Sequence, residues 1–162
     1  MKKLLFGAVL SYIFIAGCAK KDTKCSYTDS NTVAPATEIE ALKDSLDTAG
    51  ISAVIQHASG FFYKINSAGT GTGITNLCSN VTVTYKGSYF SGGIFDSTIA
   101  GSAATFQLGQ VIPGWQKGVP LVSKGGDITL YIPPSLGYGA RGYGRIPGNA
   151  YLIFDIHIID IQ

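Results

Sequence analysis

The rhythm of hydrophobic and polar positions changes three times along the 162 residues. From Leu4 to Ala16 the chain is apolar almost without interruption. Residues 19–34, "AKKDTKCSYTDSNTVA", are polar and lack periodicity, as a flexible tether does. In residues 35–49 Ile39, Leu42 and Leu46 recur at spacings of three and four. That spacing predicts one amphipathic helix. Pro35 and Thr37 suit its first turn, Glu38 and Glu40 its positive end, and Gly50 its stop. Its apolar stripe packs either on the rest of the domain or on a second copy. From Gly60 onward the period is two. "FFYKI" opens this region as a strand. "VTVTYKG" sets Val81, Val83 and Tyr85 on one face, and "TFQLG" sets Phe106 and Leu108 inward. "DITLYIP" does the same with Ile128, Leu130 and Ile132. "YLIFDIHIIDI" buries Leu152, Phe154, Ile156 and Ile158 and leaves Asp155 and His157 outside. Alternation this clean predicts an antiparallel sheet with one wetted face. The strong helix candidate within it is short, Pro113 to Val119, and Pro120 limits it. The expectation is an α+β domain over 59–162, a curled antiparallel sheet wrapped around one short helix, preceded by an N-terminal helical segment over 35–58.

The first 17 residues carry Lys2 and Lys3 ahead of the apolar run. The run is too short and too abruptly ended for a permanent membrane span, so it reads as a secretory signal. "IAGC" closes it with small residues before Cys18 and resembles a bacterial lipobox. That resemblance implies cleavage before Cys18, a diacylglyceryl thioether on its sulfur and an acylated amine. Several acyl chains anchor a protein stably where one does not. Ala19, rather than Asp, favours the outer membrane by the sorting rule of enteric bacteria.

Charge narrows the partners. Loss of Lys2 and Lys3 with the signal leaves ten basic against ten acidic side chains. With no basic stripe to neutralise phosphates, nucleic-acid binding is not expected. With Cys18 lipidated, Cys25 and Cys78 form an even pair in an exported chain, either bridged or free. Two cysteines without nearby histidines do not complete a zinc site.

Much familiar chemistry has no support. His57 precedes the sheet and His157 lies on an outer strand face, and both read as surface or linker histidines. No G-x-S-x-G is present. "GTGTG" near residue 70 is not followed by a strand-to-helix transition, so it is not a phosphate loop. The carboxylates are scattered and form no glycosidase-type pair. Any enzyme here works without metal, nucleophile or obvious base, and no cofactor is expected.

What stands out is aromatic. Tyr85, Phe95, Phe106, Trp115, Tyr138 and Phe154 lie on inward strand faces or beside glycine-rich turns. They make either an ordinary aromatic core or a concave apolar site. The local motifs favour the second. "VTVTYKGSYFSGGIFDST", "FQLGQVIPGWQKGV", "GYGARG" and "IPGNAYLIFDIHII" occur in that order, and over Gly60 to Gln162 they resemble the FKBP-type peptidyl-prolyl cis–trans isomerases. The most specific parts are the V-x-V-x-Y-x-G strand, the G-x-x-F-D-S turn and the L-G-x-x-V-I-x-G-W segment. The helix and tether ahead of them resemble membrane-anchored bacterial members.

The resemblance implies an FKBP-like fold, rotation of X-Pro bonds in proline-containing polypeptides, and binding of macrolide inhibitors. It matches Tyr85, Phe95, Phe106 and Phe154 to pocket-wall aromatics and Trp115 to the floor under the proline ring. It matches Val111 and Ile112 to the rim, where the Ile112 N–H donates to a ligand carbonyl, and Tyr138 to a phenol donating a second hydrogen bond. Asp96 matches a carboxylate near the twisting amide, and its residue type equally suits a cap on the Phe95-Asp96-Ser97 turn. Ile146 matches a rim residue before the last strand. The chain departs from the family pattern at Ala104, where many members have an aromatic, and at Gly148, where a second proline is common. The loop from Gly142 to Pro147 is about one residue short. These departures touch the rim rather than the floor, and so bear on macrolide affinity and sequence preference.

Overall fold

The computed structural model describes residues 25–71 and 73–162. The expected signal over 1–17, Cys18 and the first part of the tether lie outside the described residues.

A seven-stranded antiparallel sheet forms the frame. Its strands are β1 (Ile55–Gln56), β2 (Phe62–Ser67), β3 (Asn80–Tyr89), β4 (Ile94–Ser97), β5 (Ala104–Gln107), β6 (Asp127–Ile132) and β7 (Leu152–Ile161). The spatial order is β1-β2-β6-β7-β3-β4, with β5 also paired to β3. The two longest strands, β3 and β7, lie side by side and place Tyr85 opposite Ile156 and Gly87 opposite Phe154. Alternating inward residues Val81, Val83, Leu130, Ile132, Leu152 and Ile158 are fully buried in the main core.

The short helix α2 (Pro113–Gly118) lies against the inner face. Pro113 takes the first helical position, where its missing N–H costs nothing. Gly114 and Gly118 let the helix backbone approach the sheet. A Cβ at either would lie 2.6 Å from Ile132 or Leu130 respectively. The glycines that make poor company for a packed tryptophan in the sequence are therefore what brings its helix down onto the core. Pro120 continues the chain into a 3₁₀ turn over Val119–Leu121.

The sheet's other face is less wetted than alternation suggests. The N-terminal helix α1 (Ala36–Thr48) covers part of it, and Leu42 and Leu46 pack with Phe62 and Tyr131 in a second cluster. Five successive residues of β6 from Ile128 to Ile132 are buried, because α1 covers the outer residue Tyr131 while the Asn66 and Asp155 side chains hydrogen-bond over Thr129 at 3.1 and 2.9 Å. The Glu38 carboxylate of α1 also accepts the Ser135 N–H at 2.9 Å, tying the helix to the loop after β6. The remaining outer face is polar, with Lys86–Asp155 and His157–Asp127 pairs at 2.9 and 2.8 Å.

Residues 25–34, read from sequence as tether, have no helix or strand, yet the domain holds them. Cys25 is joined to Cys78, with Cα atoms 5.6 Å apart. Asp29 pairs with Lys117 at 3.0 Å, and the Ala34 N–H donates to the Ser59 carbonyl at 2.9 Å. Polarity without periodicity excludes a regular element, but it does not exclude a strap held by point contacts.

Candidate active site

Trp115 is only 4% exposed and stands at the centre of an aromatic box. Three strands contribute one ring each, and all three meet the indole nearly at right angles. Tyr85 of β3 lies 5.4 Å away at 86°, Phe106 of β5 5.8 Å at 84°, and Phe154 of β7 5.3 Å at 88°. Edge-to-face packing suits the ring quadrupoles and locks the indole in one orientation. The indole Nε1 is buried with no acceptor among the described residues.

One wall is polar. The Tyr85 hydroxyl donates to the Asp96 carboxylate at 2.5 Å. Burial raises the Tyr85 phenol above its ordinary pKa, and the hydrogen bond to Asp96 and that group's charge add to the rise. Burial also raises the Tyr138 phenol, with the Asp96 and Tyr143 groups adding to it. Both hydroxyls therefore keep their protons at neutral pH and remain able to donate. Asp96 does not cap a turn. Phe95, Asp96 and Ser97 belong to strand β4, where Asp96 pairs with Gly87, and the carboxylate reaches across to Tyr85.

The rim is the segment from Gly109 to Ile112. The Gln116 side chain donates to the Val111 carbonyl at 2.8 Å and to that of Gly109 at 3.3 Å. The Ile112 carbonyl accepts the Trp115 and Gln116 N–H groups at 2.9 and 3.1 Å, fixing the rim to the first turn of α2. The Ile112 N–H itself has no acceptor among the described residues.

These parts enclose a cavity of ≈ 390 Å³, within the range of small-ligand sites. Tyr85, Asp96, Phe106, Val111, Ile112, Trp115, Tyr138 and Phe154 all line it. Two residues matched by resemblance do not. Phe95 lies behind the wall, edge-on to Phe154 at 5.4 Å and against Tyr89 at 5.0 Å. Gly87 makes that position available, since a Cβ there would lie 2.5 Å from the Phe95 ring. Ile146 is buried in the main core and leaves the mouth to Tyr143, which is 74% exposed. The loop is held by reciprocal Tyr143–Ile146 backbone bonds, by the Tyr89 hydroxyl on the Arg145 carbonyl, and by Gly148, whose hypothetical Cβ would strike the Ala140 carbonyl. That close approach accounts for glycine where proline is common.

Gln110 and Tyr143 also line the cavity, and sequence reading missed both. Tyr143 had a signal: flanked by Gly142 and Gly144, it has no immediate neighbours to bury it. Gln110 had none beyond its place next to Val111. His57 and His157 stand outside this cavity. Among the described residues, no three His, Cys, Asp or Glu side chains gather where a metal could sit.

The family model for FKBP-type peptidyl-prolyl cis–trans isomerases matches residues 74–159, more than half of the chain. The chain belongs to this family. Among curated FKBP-type relatives, FkpA of Buchnera aphidicola (subsp. Schizaphis graminum) is 44% identical over 110 residues, which is 67% of this chain and 44% of that one. A probable FKBP-type isomerase of Haemophilus influenzae is 48% identical over 106 residues, 64% of this chain and 44% of that one. The chain thus spans under half the length of these relatives. Among solved FKBP structures, FkpA from Escherichia coli superposes with a TM-score of 0.66 at 32% identity, covering 78% of this chain and 63% of that one. A peptidyl-prolyl cis–trans isomerase from Pseudomonas syringae pv. tomato superposes with a TM-score of 0.67 at 28% identity, covering 81% and 98%. The FKBP architecture is therefore common to chains that differ at most positions.

Proposed function

We propose that this chain is an FKBP-type peptidyl-prolyl cis–trans isomerase that rotates X-Pro bonds in exported or envelope polypeptides. The observation that carries this reading is the Trp115 floor with three perpendicular rings around it, open on one side to a rim whose Ile112 N–H has no acceptor among the described residues. Amide resonance sets the barrier to rotation near 20 kcal/mol. Twisting the bond breaks that resonance and localises the lone pair on nitrogen. Water stabilises the planar, charge-separated amide better than the twisted one, so an apolar box that strips water favours rotation. Only interactions stronger with the twisted imide accelerate it. A gain of about 10⁵ requires about 7 kcal/mol of such preference, within reach without covalent chemistry.

The residues divide the work. The flat indole of Trp115 receives the pyrrolidine ring. The Ile112 N–H donates to the carbonyl beyond the proline and holds the peptide in register. The Tyr138 hydroxyl, held protonated by burial, donates a second bond. Asp96 acts on the amide through its field and through the Tyr85 hydroxyl that it orients. Macrolide inhibitors would occupy the same cavity.

A coupled peptide assay on the full-length chain in detergent tests this reading. Accelerated isomerisation that a macrolide suppresses supports it, and a folded protein without acceleration refutes it. A proline-segment chaperone without turnover is the second reading, favoured by the largely exposed Tyr143 at the cavity mouth. Tyr138→Phe and Asp96→Ala separate the two, since only an isomerase would lose turnover while retaining peptide binding.

Location is part of the proposal. The sequence up to Cys18 supports a lipoprotein signal, and Ala19 supports the outer membrane. Lipid labelling of wild type and Cys18→Ser in the native host checks the signal, and separation of inner from outer membranes checks the location.

A further inference from the structure

Four attachments hold residues 25–34 to the domain, and one of them bears directly on the cavity. The Tyr27 ring lies over Gly109 so closely that a Cβ there would run into it. The Tyr27 hydroxyl accepts a hydrogen bond from the Gln110 side-chain amide at 2.9 Å, and Gln110 lines the cavity beside Val111 and Ile112. The disulfide ties the strap to the same segment by a second route. Cys78 lies in 77–79, whose Leu77 and Ser79 carbonyls accept the Gly109 and Leu108 N–H groups at 2.7 and 3.0 Å. Asp29 adds an ion pair to Lys117 on α2, the helix that carries Trp115.

We infer that the strap, through Tyr27, positions the pocket rim, and that Tyr27 is a specificity-determining positioning residue which acts on substrate through Gln110. The inference rests on the functional reading above only for the identity of the ligand, a proline-containing peptide. The physical argument is one of immobilisation. The rim segment 108–112 contains a glycine and ends on an N–H that no described residue accepts. Rotamer and backbone freedom left in such a segment would be lost on binding, at the expense of affinity. The Tyr27 ring removes that freedom from Gly109, and its hydroxyl fixes the rotamer of Gln110. A rim contact of this kind serves planar and twisted imides alike. Its loss therefore weakens binding and raises KM, leaving kcat near its original value.

The test uses the full-length oxidised chain in detergent and a short proline-containing peptide. Trp115 is the only tryptophan, so its fluorescence reports peptide binding without requiring turnover. Tyr27→Phe removes one hydrogen bond and keeps the ring, and should weaken peptide binding about two- to fivefold. Tyr27→Ala uncovers Gly109 as well, and should weaken binding further while accelerating amide hydrogen exchange at residues 109–112 but not in β6 or β7. Cys25→Ser/Cys78→Ser should shift the same amides in the same direction. The inference fails if Tyr27→Ala lowers Tm yet leaves peptide affinity and exchange at 109–112 as in wild type. It also fails if exchange accelerates uniformly across the domain. Absence of turnover in wild type with intact peptide binding would count against the isomerase reading alone.

Discussion

The Tyr85 hydroxyl donates to Asp96 at 2.5 Å, joining the middle of β3 to the short strand β4 across the cavity wall. The bond fixes the direction of a carboxylate that would otherwise rotate freely at an exposed position. Tyr85→Phe should therefore lower kcat while the fold persists. Hydrogen bonds to charged groups contribute about 1.5–3 kcal/mol, so a loss of about tenfold or more in kcat is expected from single-turnover peptide kinetics. Wild-type kcat in Tyr85→Phe would remove Asp96 orientation from the mechanism.

Trp115 is both floor and core. Trp115→Ala should destabilise the domain by about 3–5 kcal/mol in urea unfolding, because the cavity it leaves cannot collapse against three fixed rings. Trp115→Leu retains more of the buried volume and should cost less stability, yet it still removes the flat surface under the proline. Turnover reduced in Trp115→Leu more than its stability loss explains would separate the two roles.

Alkaline pH should leave the site intact well beyond the ordinary tyrosine range. Burial raises both the Tyr85 and Tyr138 phenols, so neither loses its proton near pH 10. A profile of kcat/KM should stay flat from neutral pH to about pH 10. A fall with a midpoint at or below about 10 would show that a donor in the site is not held protonated by burial.

Acid should weaken the fold through His57. Burial first, and the nearby Lys117 charge second, lower its pKa in the folded state, with Asp29 opposing. The unfolded chain then binds more protons than the folded one, and stability falls as pH drops through about 6.5, the unperturbed value. His57 stacks on Phe61 at 4.4 Å and its Nδ1 accepts the Ser59 N–H at 3.0 Å, so His57→Phe keeps the stacking, removes the titrating group and lowers stability by a pH-independent amount for the lost bond. Urea midpoints between pH 5 and pH 7 should vary less in this variant than in wild type.

The helix α1 is part of the domain. Leu42 and Leu46 are almost fully buried against β2 and β6. Leu46→Ala should lower stability by about 2–5 kcal/mol. A chain starting at residue 59 should expose Phe62 and Tyr131 and bind an apolar dye.

Strands with a wetted face were legible because their period survives in the letters, as Val81, Val83 and Leu152 to Ile158 show. The box itself was legible through motif and resemblance, which placed eight of its lining residues. Three features were not. The two-residue strand β1 is too short to show a period. The burial of Tyr131 on the outer face of β6 depends on α1, some eighty residues earlier, a relationship that no local pattern encodes. Phe95 and Ile146 sit within the motifs, but whether a side chain faces the cavity or the core is set by its neighbours. Gly87 opens a space for Phe95, and the Tyr143–Ile146 hairpin turns Ile146 inward.

The disulfide at Cys25 also sets a leash. If the mature chain begins with a lipidated Cys18, the span from there to the fixed Cys25 is seven residues, at most about 25 Å when fully extended. An isomerase so tethered could not sweep the compartment. Its mouth would work in a shallow layer above the bilayer, meeting polypeptides as they emerge at or lie against that surface, and reduction of the bridge would lengthen its reach toward the next attachment at Tyr27.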